Sequence, residues 1–256
     1  MKIALTHIVS PLINRCELSF LDRQSIHFDK ATKQHEEYCR CLKDHGLKVI
    51  ELSTNRSYPD STFIEDTAVV VDEIAVMASM GLTSRRGEIA GVKPELAKYR
   101  KTAHLPLPAT LEGGDVLRVQ RKIFVGISPR TNSAGAESLR NILEPFGYEI
   151  IPVILNDCLH LKSACTAVDD HSLLINPRWI DLKPLTDFKI ISIPEDEPWA
   201  ANTLRINNTV ILHAGFRKTT HLLRTMGLSV ETLDISELLK AEAGMTCSSI
   251  IFEYPV

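Results

Sequence analysis

The feature that most constrains the fold of this chain is a recurring pair of apolar runs. In residues 66–78, DTAVVVDEIAVMA, the two runs are divided by Asp72 and Glu73. Comparable pairs occupy residues 115–127, 164–175 and 202–214. Asn and Asp at such junctions favour tight turns between antiparallel strands. The pairs recur about every 45 to 50 residues, a period that is typical of propellers and repeat arrays.

A helical pattern and then a short strand follow most of these pairs. Residues 29–46, 132–147 and 217–227 have the helical pattern, and each segment ends near a glycine, as helices often do. The second unit contains Pro94, so we expect its helix to be interrupted there. The fourth unit has only a short segment near residues 176–185. A fifth strand pair would join residues 248–254 to residues 2–9 and close a ring.

Two strands, a helix and a third strand, repeated about five times, predict an α/β fold. The expected architecture is a five-bladed α/β propeller of ββαβ units around a pseudo-five-fold axis. A doubly wound sheet is the alternative, but hairpins between the helices argue against it because parallel strands need crossover connections. The sequence contains no linker or low-complexity segment, so residues 1–256 are expected to form a single domain.

The overall composition narrows the classes of function. The formal net charge of -3, without a long basic run, argues against nucleic-acid binding. No apolar stretch has the length of a membrane span, and the first residues suggest a strand rather than a signal peptide. Six cysteines in 256 residues do not form a disulfide framework, so reduced thiols and a cytoplasmic location are expected. An exposed strand edge on the rim favours a homodimer over a monomer.

The first residues of the predicted hairpins should face the propeller axis, and four of the five carry reactive or charged groups. Glu65, Glu112 and His160 follow one another at 47 and 48 residues, and Cys247 begins the split pair. A thiol, an imidazole and carboxylates would therefore meet in one axial pocket. Each residue alone could be a buried structural group. Their joint placement favours a catalytic site.

These residue types suit nucleophilic catalysis on a cation. A cysteine attacks as its thiolate, which a nearby histidine favours. His160 can act as acid and base, and Glu112 can orient its imidazole. Asp60, Glu65 and Asp66 form a negative wall that matches a planar guanidinium.

Two arginines in loops extend this pattern. Arg85 and Arg130 each follow one of the hairpins and could hold a substrate carboxylate. A guanidinium at one end and a carboxylate at the other describe an arginine-like molecule, so the expected partner is a small guanidine amino acid.

Short motifs in a characteristic order resemble those of the guanidine-modifying (amidinotransferase) superfamily, and most closely the dimethylarginine dimethylaminohydrolase family. They are residues 59–70 (PDSTFIEDTAVV), 84–88 (SRRGE), 111–117 (LEGGDVL), 128–137 (SPRTNSAGAE), 160–166 (HLKSACT) and 246–249 (TCSS). The resemblance implies the five-bladed α/β propeller, or pentein, fold. It also implies hydrolysis of N-omega-methylated arginines to citrulline and dimethylamine or methylamine, through a covalent cysteine thiouronium intermediate, with no metal or organic cofactor.

The resemblance also assigns roles to residues. The implied roles are nucleophile for Cys247, general acid for His160, assisting carboxylate for Glu112, guanidinium contacts for Glu65 and Asp66, a further substrate contact for Asp60, carboxylate-binding arginines for Arg85 and Arg130, a covering loop leucine for Leu18, and a backbone contact for Ala241. Ala241 departs from the family, whose members have a branched aliphatic residue there. This departure bears on the preference among methylated substrates.

Two other functions stay open. A deiminase of the same superfamily would release ammonia from arginine or another guanidine. The residues at issue between the two reactions are Leu18, Ala241 and the pair Glu65 and Asp66, because they would touch the methyl groups. A non-catalytic propeller that binds a partner belongs to another class, and it predicts no Cys, His and Glu at the axial positions. His35 and Cys39 share a helix face, but core packing rather than a metal site is expected there.

Overall fold

The computed structural model describes residues 1–255, and Val256, the last residue of the predicted domain, lies outside the described residues. In chain order its strands and helices are β1 (Lys2–His7), α1 (Phe28–Asp44), β2 (Lys48–Leu52), β3 (Ala68–Val70), β4 (Ile74–Met77), α2 (Glu88–Leu96), β5 (Lys101–His104), β6 (Val116–Val119), β7 (Lys122–Ile127), α3 (Ser133–Leu143), β8 (Glu149–Ile154), α4 (Leu161–Ala164), β9 (Cys165–Ala167), β10 (Ser172–Ile175), β11 (Lys189–Ser192), β12 (Leu204–Ile206), β13 (Thr209–His213), α5 (Arg217–Thr225), β14 (Ser229–Leu233), α6 (Ser236–Leu239) and β15 (Ser249–Glu253).

The strands form five three-stranded sheets, ordered β15-β1-β2, β3-β4-β5, β6-β7-β8, β9-β10-β11 and β12-β13-β14. We call these sheets the first to fifth blades. In each blade the middle strand is antiparallel to the first and parallel to the third. An α-helix links the parallel pair in four blades, whereas a short 3-10 turn, Lys183–Leu185, lies in the fourth. The predicted five-bladed propeller of ββαβ units is confirmed.

The ring closes through the two ends of the chain. β1 pairs with β15 in antiparallel register, with Lys2 opposite Glu253 and Thr6 opposite Ser249. This is the predicted split strand pair. It places the segment around Cys247, just before β15, beside the first blade.

The five hydrophobic clusters lie between neighbouring blades because successive strand residues face opposite sides. In β7, Ile123 and Val125 pack in the cluster shared with the second blade, whereas Phe124 packs in the cluster shared with the fourth. The middle strands are therefore apolar on both faces. This explains the uninterrupted apolar runs in the sequence.

The helix of the second blade corrects one prediction. An interruption at Pro94 was expected, but α2 continues from Glu88 to Leu96 with Pro94 inside it. Pro94 removes one intrahelical hydrogen bond, but the helical bonding resumes after it, where Ala97 N donates to Lys93 O at 2.9 Å. Val92 and Leu96 are fully buried against the neighbouring sheets, so packing offsets the cost of the proline.

The first strands of the blades surround an axial cavity of about 380 Å³. Its lining includes Val69 of β3, Leu117 of β6, Thr166 of β9 and Ile250 of β15, together with Glu65 at the start of the second blade. The residues just before these strands therefore converge near the axis, as predicted. Among residues 1–255, none of the helices combines the length and apolar character needed to cross a membrane.

Candidate active site

A buried carboxylate pair occupies the 3-10 turn Ile64–Thr67 that precedes β3. Asp66 Oδ2 accepts from Arg85 Nη1 at 2.7 Å, and Asp66 Oδ1 accepts from the Gly114 amide at 3.1 Å. Burial alone would raise the pKa of Asp66. The nearby charges of His160 and Arg85 outweigh burial and hold the pKa of Asp66 below its usual value, so this carboxylate is ionised.

Glu65 has a different environment from its neighbour. Its carboxylate accepts from Thr246 Oγ1 at 2.7 Å and pairs with Lys162 Nζ. Burial raises the pKa of Glu65, although Lys162 and Thr246 act in the opposite direction. The Glu65 amide also donates to the Cys247 carbonyl at 3.2 Å, which ties the carboxylate pair to the candidate nucleophile.

His160 and Glu112 are in direct contact. His160 Nε2 lies 2.9 Å from Glu112 Oε2, and its Nδ1 lies 3.8 Å from Asp66 Oδ1. Both ring nitrogens therefore face carboxylates, an arrangement that suits the doubly protonated imidazolium. Burial disfavours that charge, but Asp66, Asp115 and Glu112 outweigh it and raise the pKa of His160 to about 9.

Glycines and backbone amides hold this pair in place. Glu112 precedes the 3-10 turn Gly113–Asp115, and its Oε1 accepts from the Gly81 amide at 3.0 Å. A Cβ on Gly114 would lie 2.6 Å from His160 Nδ1, so only glycine fits there. Asp115 Oδ1 accepts at 2.9 Å from the amide of Leu161, which anchors the residue next to the imidazole.

Cys247 lies in a turn just before β15 and is partly buried. Its Sγ accepts from the Gly244 amide at 3.2 Å. Burial, followed by the negative charges of Glu65 and Asp66, raises the pKa of the Cys247 thiol to about 12. At neutral pH Cys247 is therefore a thiol rather than a thiolate, and a further positive charge beside the carboxylates would favour its ionisation.

The two predicted carboxylate-binding arginines differ in their partners. Arg85 is buried and bonds to Asp66 and to both carboxylate oxygens of Glu88, at 3.1 and 3.0 Å. Arg130 is also buried, but its Nη2 contacts the neutral Ser19 hydroxyl at 3.2 Å, and its Nη1 lies 3.7 Å from Glu112. Arg130 therefore has more capacity for a new anion, whereas Arg85 mainly orients Asp66.

The covering loop predicted around Leu18 comprises residues 17–21 and lies against Asp60. Both Asp60 carboxylate oxygens lie 3.2 Å from the Glu17 amide, and burial raises the pKa of Asp60 to about 6. Leu18 follows Glu17 and packs, partly buried, against the hydrophobic cluster that contains Ala241. The structure thus brings the loop, Asp60 and the Ala241 segment together.

Three residues outside the predicted set also hold the site together. Lys162 neutralises Glu65. Asn202 exchanges two hydrogen bonds with Thr246, at 3.0 and 3.2 Å, and so holds the turn that carries Cys247. Glu242 bonds to the covering loop. Of the three, Asn202 could have been found from the sequence, because it begins the fifth hairpin where the other blades carry Glu65, Glu112 and His160.

Three groups of donor atoms within residues 1–255 lie close enough together to hold a metal ion. They are Asp66, Glu112 and His160; His35, Cys39 and Glu51; and Cys41, His45 and Glu231. In the second group burial, and then His7, lowers the pKa of His35 to about 4, so its imidazole is neutral, and the expectation of core packing there stays a prediction. The prediction that the chemistry requires no metal stays a prediction.

Known proteins resemble this chain over most of its length. A family model described as N,N dimethylarginine dimethylhydrolase, eukaryotic, matches residues 10–212. An N(G),N(G)-dimethylarginine dimethylaminohydrolase of Pseudomonas aeruginosa is 33% identical over 227 residues, which cover 88% of this chain and 89% of that protein. Its Streptomyces coelicolor counterpart is 33% identical over 250 residues, covering 97% of this chain and 96% of that protein.

A solved structure shows the same fold. The Pseudomonas aeruginosa enzyme, crystallised as a cysteine-to-serine variant with citrulline, superposes with a TM-score of 0.91 at 29% sequence identity. The superposition covers 97% of this chain and 98% of that chain.

Proposed function

Because this chain belongs to the dimethylarginine dimethylaminohydrolase family of the pentein superfamily, we propose that it hydrolyses N-omega-methylated arginines to citrulline and the corresponding methylamine. The observation that carries the proposal is the position of Asp66. Its carboxylate faces the imidazole of His160 at 3.8 Å and also contributes to the raised pKa of the Cys247 thiol. Cation binding, proton transfer and nucleophilic attack can therefore occur around one carboxylate. The citrulline bound in the related structure is consistent with this product.

In the proposed mechanism the guanidinium binds beside Glu65 and Asp66. These buried carboxylates have lost most of their hydration, so a planar cation with several N–H donors is a strongly favoured partner. The bound positive charge offsets the two negative charges that raise the pKa of Cys247. Thiol ionisation, with the proton released to solvent, is then coupled to binding of a cationic substrate.

The thiolate attacks the central guanidinium carbon, and His160 supplies the proton that the departing amine needs. With a pKa of about 9, His160 is protonated at neutral pH before the reaction begins. Loss of the amine leaves a thiouronium on Cys247. The neutral imidazole then removes a proton from water, and hydrolysis releases citrulline and restores the thiol.

The α-carboxylate of the substrate is proposed to bind Arg130. Arg130 lies between the covering loop and Glu112, with Nη2 3.2 Å from Ser19 Oγ. A carboxylate would be a stronger acceptor for this guanidinium than a serine hydroxyl. Arg85, already paired with two carboxylates, contributes positive charge and holds Asp66 in place.

The test is a citrulline assay with asymmetric dimethylarginine, monomethylarginine and arginine in parallel. Cys247→Ala should abolish turnover. Cys165→Ala is the matched control, because this cysteine is buried in the core, begins β9 at the place equivalent to the start of β15, and should keep its activity.

The pattern of substrates separates the candidate functions. Turnover of the methylated arginines, lost in Cys247→Ala, supports the proposal. Turnover of arginine alone assigns the chain to the deiminases of the superfamily. Unchanged turnover in Cys247→Ala would overturn the mechanism, and the absence of turnover with all three substrates would refute the proposed reaction.

A further inference from the structure

Glu242 makes an unusual set of contacts with the covering loop. Its carboxylate accepts hydrogen bonds from three consecutive backbone amides, those of Ser19, Phe20 and Leu21. The distances to the Ser19 and Leu21 amides are 2.9 and 2.6 Å. Glu242 is buried, so these charge-assisted bonds form with little competition from water. One carboxylate therefore holds three residues of a loop that lies more than 200 positions away in the chain.

The backbone at Glu242 shows that this side chain occupies a place where glycine is usual. Helix α6 ends in a Schellman arrangement, with the Glu242 amide bonded to Leu239 O at 3.0 Å and the Ala243 amide bonded to Leu238 O at 3.3 Å. The residue after such an end adopts the left-handed conformation, and Glu242 has φ of 59°. A glutamate is strained there, and such strain persists where the surroundings impose it, often at functional sites.

The loop connects Glu242 to the substrate end of the site. Ser19, the first residue bound by Glu242, also accepts a hydrogen bond from Arg130 at 3.2 Å. On the other side of Leu18, the Glu17 amide is held by Asp60 at 3.2 Å. The residues on both sides of Leu18 are thus held by buried carboxylates from two different connecting segments.

We propose that Glu242 is a positioning residue that holds residues 17–21 closed over the substrate and so sets the places of Leu18 and Arg130. The proposal rests on the proposed function, because it requires a substrate at this end of the site. It predicts that loss of the carboxylate lowers the fraction of protein with a closed loop. Substrate affinity falls in proportion to the fraction of closed protein, whereas the chemical step in the closed complex is unchanged.

Glu242→Gly is the informative variant because it removes the carboxylate while relieving the left-handed backbone. Glu242→Gln is the second variant, and it keeps the shape of the side chain but loses the charge. Glu237→Gln is the matched control. Glu237 is a buried glutamate of α6 that accepts a hydrogen bond from the His27 amide at 3.0 Å, and His27 lies outside the covering loop.

Two readouts are needed. Hydrogen exchange of the Ser19, Phe20 and Leu21 amides should accelerate about tenfold or more in both Glu242 variants and stay unchanged in Glu237→Gln. KM for dimethylarginine should rise about tenfold with kcat changed less than about twofold, while Tm in Glu242→Gly stays near that of the unmodified protein.

The outcomes are distinguishable. Unchanged amide exchange and unchanged KM in Glu242→Gly and Glu242→Gln would overturn the proposal. A lowered Tm with unaltered KM would assign Glu242 a purely structural role and also overturn it. If the unmodified protein hydrolyses none of the three arginines, the proposed function fails, and the exchange experiment still decides whether Glu242 holds the loop.

Discussion

Replacing Glu112 with glutamine should lower the pKa of His160, because the change removes one of the negative charges that keep this imidazole protonated. Glu112 Oε2 lies 2.9 Å from His160 Nε2, and Glu112 is fully buried. Glutamine has nearly the same shape, so the change removes a charge and leaves the packing intact. The other carboxylates that raise this pKa, Asp66 and Asp115, remain in place.

The expected magnitude follows from the contact that is lost. A hydrogen bond to a charged group contributes roughly 1.5–3 kcal/mol, and one pKa unit corresponds to about 1.4 kcal/mol. The pKa of His160, now about 9, should therefore fall by about one to two units in Glu112→Gln. The pKa of His160 should stay above or near its ordinary value of 6.5, because Asp66 and Asp115 still raise it.

The same shift makes the stability of the fold depend on pH. The folded-state pKa of His160 lies above 6.5, so the folded protein binds this proton more tightly than the unfolded chain does. The stabilisation is complete below pH 6.5 and is lost as the pH rises to about 9, and the difference corresponds to about 3 kcal/mol. In Glu112→Gln this loss of stability should be smaller.

The measurement is an NMR titration of the histidine ring nitrogens, with His160 assigned by its absence in His160→Gln. Urea unfolding at pH 6.5 and at about pH 9 measures how much the free energy of unfolding changes across this range. Glu197→Gln is the control, since Glu197 is a buried glutamate that bonds to Thr219 of α5 and forms no hydrogen bond or ion pair with a histidine among residues 1–255. A His160 pKa that is unchanged or raised in Glu112→Gln would refute the electrostatic reasoning.

Three further predictions concern the thiol, a glycine and a helix cap. Because the pKa of Cys247 is raised to about 12, cationic chloroacetamidine should inactivate the protein at least about tenfold faster than neutral chloroacetamide near neutral pH, and equal rates would contradict this. Gly114→Ala should reduce kcat about a hundredfold with the fold retained by circular dichroism, because the new Cβ would lie 2.6 Å from His160 Nδ1 and 2.7 Å from Asp66 Oδ1; an active variant would be inconsistent with this geometry. Asn132→Ala should lower the free energy of unfolding by about 1 kcal/mol, since Asn132 caps α3 through the Gly135 amide, whereas Asn132→Asp should unfold at nearly the same urea concentration as the unmodified protein.

Local patterns were enough to predict the propeller. The paired apolar runs, the polar turns and the helices followed within a few residues by Gly46, Gly147 and Gly227 are all present in the structure. Pro94 is the exception, because local preference predicted a break where the burial of α2 keeps the helix intact. Propensity acts over a few residues and can be outweighed by tertiary packing.

The site could be predicted in part for the same reason. Repetition places Glu65, Glu112, His160 and Cys247 at equivalent points of their blades, so their convergence follows from the period alone. The place of Asn202 at the fifth equivalent point could be found in the same way, but its hydrogen bonds to Thr246 could not be predicted from the sequence.

The set of reactive groups and their common place in the repeat could be read from the amino acids alone, since both follow from residue identity and spacing. The charges of those groups and the contacts between them depend on the three-dimensional packing. The raised pKa of His160 depends on three carboxylates from two other hairpins, and the hold of Glu242 on residues 19–21 joins segments at opposite ends of the chain. Such contacts carry no local signal, because electrostatic energy and hydrogen bonding depend on distance in space and on the exclusion of water, which only the packed blades establish.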